Sequence, residues 1–291
     1  MTQPGSTSKK LITDTVILMA GSGSRLQAIG NNLPKPLIQI AGRPVFSYTI
    51  ESLEKAGIKT VHAVTGSNSD ALLAGLRPLV PTGIKLHAIH NPRWQKQNGI
   101  SLLIVAKQVR SPFLLTMGDH LFDPAIVDLA IHNADPNALN VAVDRKLNAI
   151  FDVVDAMKIK TKGDRVVAIG KNLTDYDAID TGLFVCPPEI FKYLKRAKRD
   201  GDCSLADGVR AMAADGKVRA IDIGNAWWQD IDTPEMLTQA EKAVRILNSR
   251  RVAFRPRDAA TSQKDHRSDR VNKKQMQDPL RQTKCGQNKK S

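Results

Sequence analysis

Apolar residues in this chain fall into two kinds of segment that alternate. Short continuous apolar runs at Val16–Ala20, Val61–Thr65 and Pro112–Met117 predict strands buried on both faces. Between them, Val45–Ala56, Ser69–Leu76 and Ser204–Ala214 carry apolar residues at helical spacing, and Gly57 closes the first of these helices. Further strands are predicted at Leu37–Ile40, Ile84–His90, Leu139–Val143 and Val218–Ile223, and further helices at Leu102–Val109, from near Pro124, and at Pro234–Leu247. This rhythm predicts an α/β chain with a Rossmann-like, doubly wound, mixed but mostly parallel sheet. Phe151–Val153 and Val166–Ile169 flank the turn at Lys162-Gly163-Asp164 and predict a small antiparallel insertion, a lid over one side of the sheet. No internal repeat is visible.

Charge divides the chain. The net charge of +14 suggests a nucleic-acid partner, but from Ser249 to Ser291 there are 13 Lys and Arg against 4 Asp, so +9 of it lies in that stretch. The stretch is rich in Gln, Asn and Ser and reads as disordered. The expected organisation is a flexible N-terminus over 1–14, a folded domain over 15–248 and a basic disordered tail over 249–291. The tail is available to contact anionic surfaces, and no specific nucleic-acid partner is expected. Cys186, Cys203 and Cys285 form no C-x-x-C pair, which excludes a zinc framework and suits a reducing cytoplasm. No apolar run reaches the length of a membrane span, and no secretory leader is recognised.

The candidate chemistry begins where the first strand ends. Gly21-Ser22-Gly23-Ser24-Arg25 allows close backbone approach, offers amide N–H groups to phosphate oxygens and adds a guanidinium. Lys35, held between Pro34 and Pro36, supplies a second cation from a stiffened segment. Together these suit attack on a nucleoside triphosphate, where charge builds at the α-phosphate and on departing pyrophosphate. Asp119, at the end of the Pro112–Met117 strand, lies where open α/β sheets bind ligands and is a suitable Mg²⁺ ligand; capping the helix near Pro124 is its competing role. Asp230 and Asp232, two residues apart on an extended segment, point to one side, and spacing leaves open which completes the metal site. Asp232 or Thr233 also suits a helix cap before Pro234. Asp180 and Thr181 could read hydroxyls of a polyol, with Gly182 allowing close approach.

Read together, A-G-S-G-S-R-L, L-P-K-P-L-I-Q-I-A-G-R-P-V, N-P followed by N-G-I-S-L-L, L-T-M-G-D-H, A-I-D-T-G-L-F-V-C and W-x-D-I-D-T resemble the sugar-phosphate nucleotidylyltransferase superfamily, and within it the inositol-1-phosphate cytidylyltransferases. The resemblance covers roughly Thr15 to Leu247 and implies the nucleotide-diphospho-sugar transferase type of fold. It implies that Ala20, Gly21, Gly23, Ser24, Asn98, Gly99 and Ser101 face the nucleotide and that Arg25 and Lys35 are catalytic. It also implies that Lys171, Asp180, Thr181 and Gly182 meet the acceptor, and that Asp119 with Asp230 or Asp232 holds Mg²⁺.

The implied reaction is Mg²⁺-dependent transfer of CMP from CTP to inositol 1-phosphate, giving CDP-inositol and pyrophosphate. A phosphocholine, aminoalkylphosphonate or sugar 1-phosphate acceptor is the alternative, although the 4% aromatic content offers few side chains for a quaternary-ammonium box. A non-catalytic nucleotide- or nucleic-acid-binding protein is a third reading. Some members of the resembling family are fused to a membrane CDP-alcohol transferase, so a separate protein of that kind is an implied partner. A homodimer is left open.

Overall fold

The computed structural model describes residues 12–21 and 33–253. The expectations for Gly23, Ser24 and Arg25, for most of the N-terminal segment and for most of the tail fall outside the described residues.

In chain order the elements are β1 (Asp14–Met19), β2 (Gln39–Ile40), β3 (Arg43–Pro44), α1 (Val45–Lys55), β4 (Thr60–Thr65), α2 (Ser69–Leu76), β5 (Lys85–His90) and α3 (Asn98–Leu103). There follow β6 (Phe113–Met117), β7 (His120–Phe122), α4 (Pro124–Asn133), β8 (Leu139–Asp144), β9 (Lys158–Lys162), β10 (Arg165–Gly170) and β11 (Ala178–Cys186). The described chain ends with α5 (Ile190–Ala197), α6 (Leu205–Ala214), β12 (Val218–Asp222), β13 (Trp228–Asp230) and α7 (Pro234–Ala253).

A 9-stranded sheet runs β5-β4-β1-β6-β11-β8-β12-β10-β9. β5, β4, β1 and β6 are mutually parallel, β8 and β12 are parallel, and β11 and β10 run against the rest. The sheet is therefore mixed, with most strands pointing one way. Its alternating side chains feed two cores. Val16 and Leu18 face a cluster with Ile100, Phe113, Ile190 and Val209, while Ile17 and Met19 face another with Phe46, Ile50, Leu72 and Ile126. Burial on both faces is why β1 reads as one uninterrupted apolar run.

Three boundaries differ from the sequence reading. Lys35–Leu37 is a 3-10 turn, with the strand confined to Gln39–Ile40, because the Leu37 and Ile38 amides donate to the Pro34 and Lys35 carbonyls and are not available to a ladder. The helix predicted at Leu102–Val109 begins at Asn98 and tightens to a 3-10 turn over Ile104–Lys107. The hairpin strand is Lys158–Lys162, not Phe151–Val153, and it pairs with both β10 and β11. The antiparallel insertion thus extends the edge of the main sheet.

A third, small core decides where the site forms. Ile38, Ile40, Val45, Leu121, Ile231, Ala240 and Val244 pack together. Ile38 follows Lys35 closely, Leu121 follows Asp119 and His120, and Ile231 lies between Asp230 and Asp232. Each fully buried aliphatic side chain of this kind contributes roughly 1.5–3 kcal/mol. Burying these anchors carries their polar neighbours into one place.

Candidate active site

The C-terminal ends of β1 and β6 lie side by side, with Leu18 paired to Met117 and the Gly118 amide donating to the Leu18 carbonyl at 2.9 Å. Beyond these ends the chain presents Ala20 and Gly21 from β1 and Asp119 and His120 from β6. β13 pairs antiparallel with β7, placing Asp230 opposite His120, and the Ile231 amide donates to the Asp119 carbonyl at 2.9 Å. Backbone pairing alone thus joins two acidic segments far apart in sequence.

Lys35 stands at their junction. Its ammonium donates to Asp119 Oδ2 at 2.8 Å and to Asp232 Oδ1. Burial alone would lower the Lys35 pKa, but the two carboxylates overcome that and raise it. Burial works to raise the Asp119 pKa, yet the hydrogen bond and charge from His120, and those from Lys35, hold it well below the usual carboxylate range. Of the two acids that spacing left open, Asp232 shares Lys35 with Asp119. Asp230 is pushed upward, first by burial, against the pull of His120 and together with repulsion from Asp232 and Asp119.

His120 is a hub that sequence reasoning reduced to a neighbour. Its Nδ1 donates to Asp119 Oδ1 at 2.9 Å. Its ring stacks on Trp228, with centroids 6.2 Å apart and planes inclined by 21°. Burial would depress its pKa, but Asp119, Asp230 and Asp180 together raise it. Gly182 also approaches the ring closely: a Cβ there would lie 2.4 Å from the imidazole, and φ is +76°. Gly182 sits in a β11 bulge, between Asp180 paired with Val143 and Phe184 paired with Val141. The bulge lets Asp180 Oδ1 accept from the Gly182 amide at 2.8 Å. Burial pushes the Asp180 carboxyl up to about 7, despite that bond and the charge of His120.

His120, Asp180, Gly182, Trp228, Asp230 and Asp232 border a cavity of about 460 Å³, together with Asn98 and Lys171. Lys171 donates to Asp155 Oδ1 at 2.5 Å. Its backbone carbonyl accepts from Lys158 Nζ at 2.7 Å, and the same ammonium donates to the Val154 carbonyl at 3.1 Å. The buried Lys158 therefore ties together the two stretches that carry Lys171 and Asp155.

Other expected site residues serve the fold. The Ser101 hydroxyl is buried and accepts from Asn91 Nδ2 at 3.0 Å, and the Thr181 hydroxyl is buried and donates to the Ala142 carbonyl at 2.9 Å. At Gly99 a Cβ would come within 2.6 Å of the Cys203 carbonyl, so its smallness serves the packing of α3 against the start of α6. Asn98 reaches the cavity while its Oδ1 accepts from the Leu205 amide at 2.8 Å. Ala20 is buried at the end of β1, and Gly21 is exposed beyond it. Besides His120, sequence reasoning missed Asp144, whose Oδ2 accepts from Trp228 Nε1 at 3.0 Å. The signal available for it was an acid closing a strand, the feature that singled out Asp119.

Among the described residues no three His, Cys, Asp or Glu side chains are grouped so as to hold a metal ion unaided. The Asp119–Asp232 pair nevertheless fits Mg²⁺, which commonly takes one or two carboxylates and completes its shell with substrate phosphates and water. Two carboxylates already share one cation there.

Residues 14–245 match the nucleotidyl transferase family. The chain is 32% identical over 229 residues to the bifunctional IPC transferase and DIPP synthase of Thermococcus kodakarensis, covering 78% of this chain and 49% of that protein. It is 30% identical over 256 residues to the CMP-5'-(3-aminopropyl)phosphonate synthase of Streptomyces rubellomurinus, covering 78% of this chain and 38% of that protein. The chain thus spans about half the length, or less, of the curated relatives it matches. Among solved structures, the inositol-1-phosphate CTP transferase from T. maritima shares its fold with a TM-score of 0.70 at 24% identity, covering 80% of this chain and 98% of that one. No described helix is long and apolar enough to cross a membrane.

Proposed function

The chain belongs to the nucleotidyl transferase family, and we propose that within it this protein moves CMP from CTP to the phosphate of a phosphorylated polyol, inositol 1-phosphate, giving CDP-inositol and pyrophosphate. The observation that carries the reading is the meeting of Lys35, Asp119 and Asp232 beside a cavity whose lining includes Lys171, Asp180 and Gly182.

In the proposed reaction an acceptor phosphate oxygen attacks the α-phosphorus of CTP in line, a new P–O bond forms, and the α–β bridging bond breaks. The attacking phosphate monoester is largely ionised near neutral pH, so no side chain need remove a proton. Lys35 offers its ammonium to the phosphates as negative charge moves toward the leaving pyrophosphate. Lys171 is assigned to the acceptor phosphate, and Asp180 to a polyol hydroxyl. His120, whose charged form Asp119, Asp230 and Asp180 favour, offsets the acidic character of that wall of the cavity. Mg²⁺ held by Asp119 and Asp232 would supply further neutralisation of the triphosphate.

The relatives named as IPC transferases support the polyol acceptor. Asp152, which also borders the cavity, favours a second reading in which the acceptor carries an ammonium, as the product name of the phosphonate-active relative implies. The first reading includes a consumer of the product, a CDP-alcohol transferase in the membrane.

The test is a pyrophosphate-release screen of CTP, UTP, ATP and GTP against phosphorylated polyols, sugars and aminoalkyl phosphonates with Mg²⁺. The reading expects CTP with inositol 1-phosphate to lead. Release with an aminoalkyl phosphonate in its place would select the second reading, and no release with any pair would end both.

A further inference from the structure

The Asp119–Asp232 pair has a resident cation of its own. Lys35 Nζ lies within hydrogen-bonding reach of one oxygen from each carboxylate, and the three side chains are largely buried, with 18%, 24% and 18% of their surfaces exposed for Lys35, Asp119 and Asp232. Two carboxylates this close repel strongly when nothing cationic stands between them, and partial burial sharpens the cost. Lys35 starts from a stiff base, since Pro34 and Pro36 flank it and Pro36 is buried. Its stem is unbranched, so the ammonium can move while the backbone stays in place.

We infer that Lys35 is a place-holding cation in the substrate-free protein, and that a divalent ion gains the Asp119–Asp232 pair only as Lys35 leaves it. This rests on the nucleotidyl-transfer reading for the identity of what draws Lys35 away: the phosphates of the incoming nucleotide. A phosphate group that takes the ammonium exposes both carboxylates to the metal, and a metal that takes the carboxylates frees the ammonium for phosphate. Binding of metal and of triphosphate is therefore mutually reinforcing, as reciprocity between linked sites requires. Among the described residues no three His, Cys, Asp or Glu side chains are grouped to hold a metal, and two carboxylates hold Mg²⁺ weakly until phosphates complete its shell.

The test is Mn²⁺ binding to the nucleotide-free protein, followed by the loss of the free-Mn²⁺ signal in electron paramagnetic resonance. Lys35→Met is expected to bind Mn²⁺ about tenfold more tightly than the wild type, even as transfer activity falls. The added substitution Asp232→Asn is expected to abolish that gain. Thermal melts establish that each variant is folded. A second measurement needs no variant: amine labelling of Lys35, read by peptide mass spectrometry, is expected to rise as Mn²⁺ saturates the wild-type protein. Unchanged or weaker Mn²⁺ affinity in folded Lys35→Met, or labelling of Lys35 that does not respond to bound Mn²⁺, would overturn the inference. Those results with intact pyrophosphate release in the wild type would leave the functional reading standing. Tighter Mn²⁺ binding without any nucleotidyl transfer would remove the reading and leave the place-holder.

Discussion

The Trp228 indole N–H donates to Asp144 Oδ2 at 3.0 Å, so the ring stacked on His120 is fixed from behind by an acid on another strand. Asp144 is itself steadied by Lys146, whose ammonium lies 2.8 Å from Oδ1 and also donates to the Gly224 carbonyl at 2.6 Å. A run of side chains thus leads from Lys146 through Asp144, Trp228 and His120 to Asp119 and Lys35. Removing Asp144 loosens the indole while leaving the Lys35 cluster in contact. Asp144→Ala is expected to raise the acceptor KM by about tenfold, with the CTP KM changed by less than about twofold. Trp228→Phe keeps a ring over His120 and should show a smaller effect. Steady-state kinetics with each substrate varied in turn measures both, and equal damage to both KM values would refute the assignment to the acceptor side.

Ile231 is fully buried between Asp230 and Asp232, in the small core with Ile40, Leu121 and Val244. Ile231→Ala removes buried methyl groups where the neighbours are pinned by backbone pairing, so collapse around the gap is limited. The expected cost is about 2–4 kcal/mol in urea denaturation. Because this side chain also sets where Asp232 meets Lys35, turnover should fall by about tenfold or more under conditions where the variant is fully folded. A stability loss with unchanged turnover would show that the core does not position the acid.

The fold was legible because β1, β4 and β6 are buried on both faces and their helices carry regular apolar spacing. The rest of the fold is set by contacts remote in sequence. The start of α3 hid in the polar run Gln95–Asn98 because Asn98 is tied to the Leu205 amide, a partner that no local pattern announces. The hairpin strand was placed too early because Phe151 and Val154 look like core but are exposed, whereas Lys158 looks like surface but is buried with its ammonium on two carbonyls. For the candidate site, a carboxylate at a strand end pointed to Asp119, and the family-like strings pointed to Lys35 and the Asp230–Asp232 pair. Spacing could not choose within that pair, since alternate residues of an extended segment look alike. In the fold Asp232 meets the Lys35 ammonium that Asp119 also holds, while Asp230 lies opposite His120. Ser101 and Thr181 show a second obstacle: a hydroxyl beside a motif also finds partners within the fold, here Asn91 and the Ala142 carbonyl.

Gly182 adopts φ of +76°, and a methyl group there would sit 2.4 Å from His120 Cδ2. Gly182→Ala combines backbone strain with displacement of the imidazole. The variant should lose about 1–3 kcal/mol of stability, and transfer should fall by about a hundredfold as His120 gives up its place against Trp228 and Asp119. Thermal melts and pyrophosphate release report the two effects separately. Wild-type turnover in the variant would show that the tight approach to His120 has no bearing on the reaction.

Asp180 gives the protein a pH dependence with a defined sign. In the unfolded chain its carboxyl titrates with an ordinary value near 3.8, and in the fold burial lifts it to about 7. Between those values the folded protein retains a proton that the unfolded chain has released, so the folded state binds more protons and stability falls as pH rises. The penalty is absent below about pH 4, grows through the window, and levels off above about pH 7, with an upper bound of roughly 4 kcal/mol. Asp180→Asn removes the titration while its amide oxygen can still accept from the Gly182 N–H. Relative to the wild type, the variant should gain stability as pH is raised from 5 to 7.5, and the difference should be flat above that. His120 also faces this carboxyl and its own titration is sensitive to it, so the comparison is made as the difference between the two proteins across the whole range, by urea denaturation at each pH. Parallel curves for the two proteins would mean that Asp180 ionises in the fold as it does in the open chain, and that the acceptor meets a full carboxylate at every working pH.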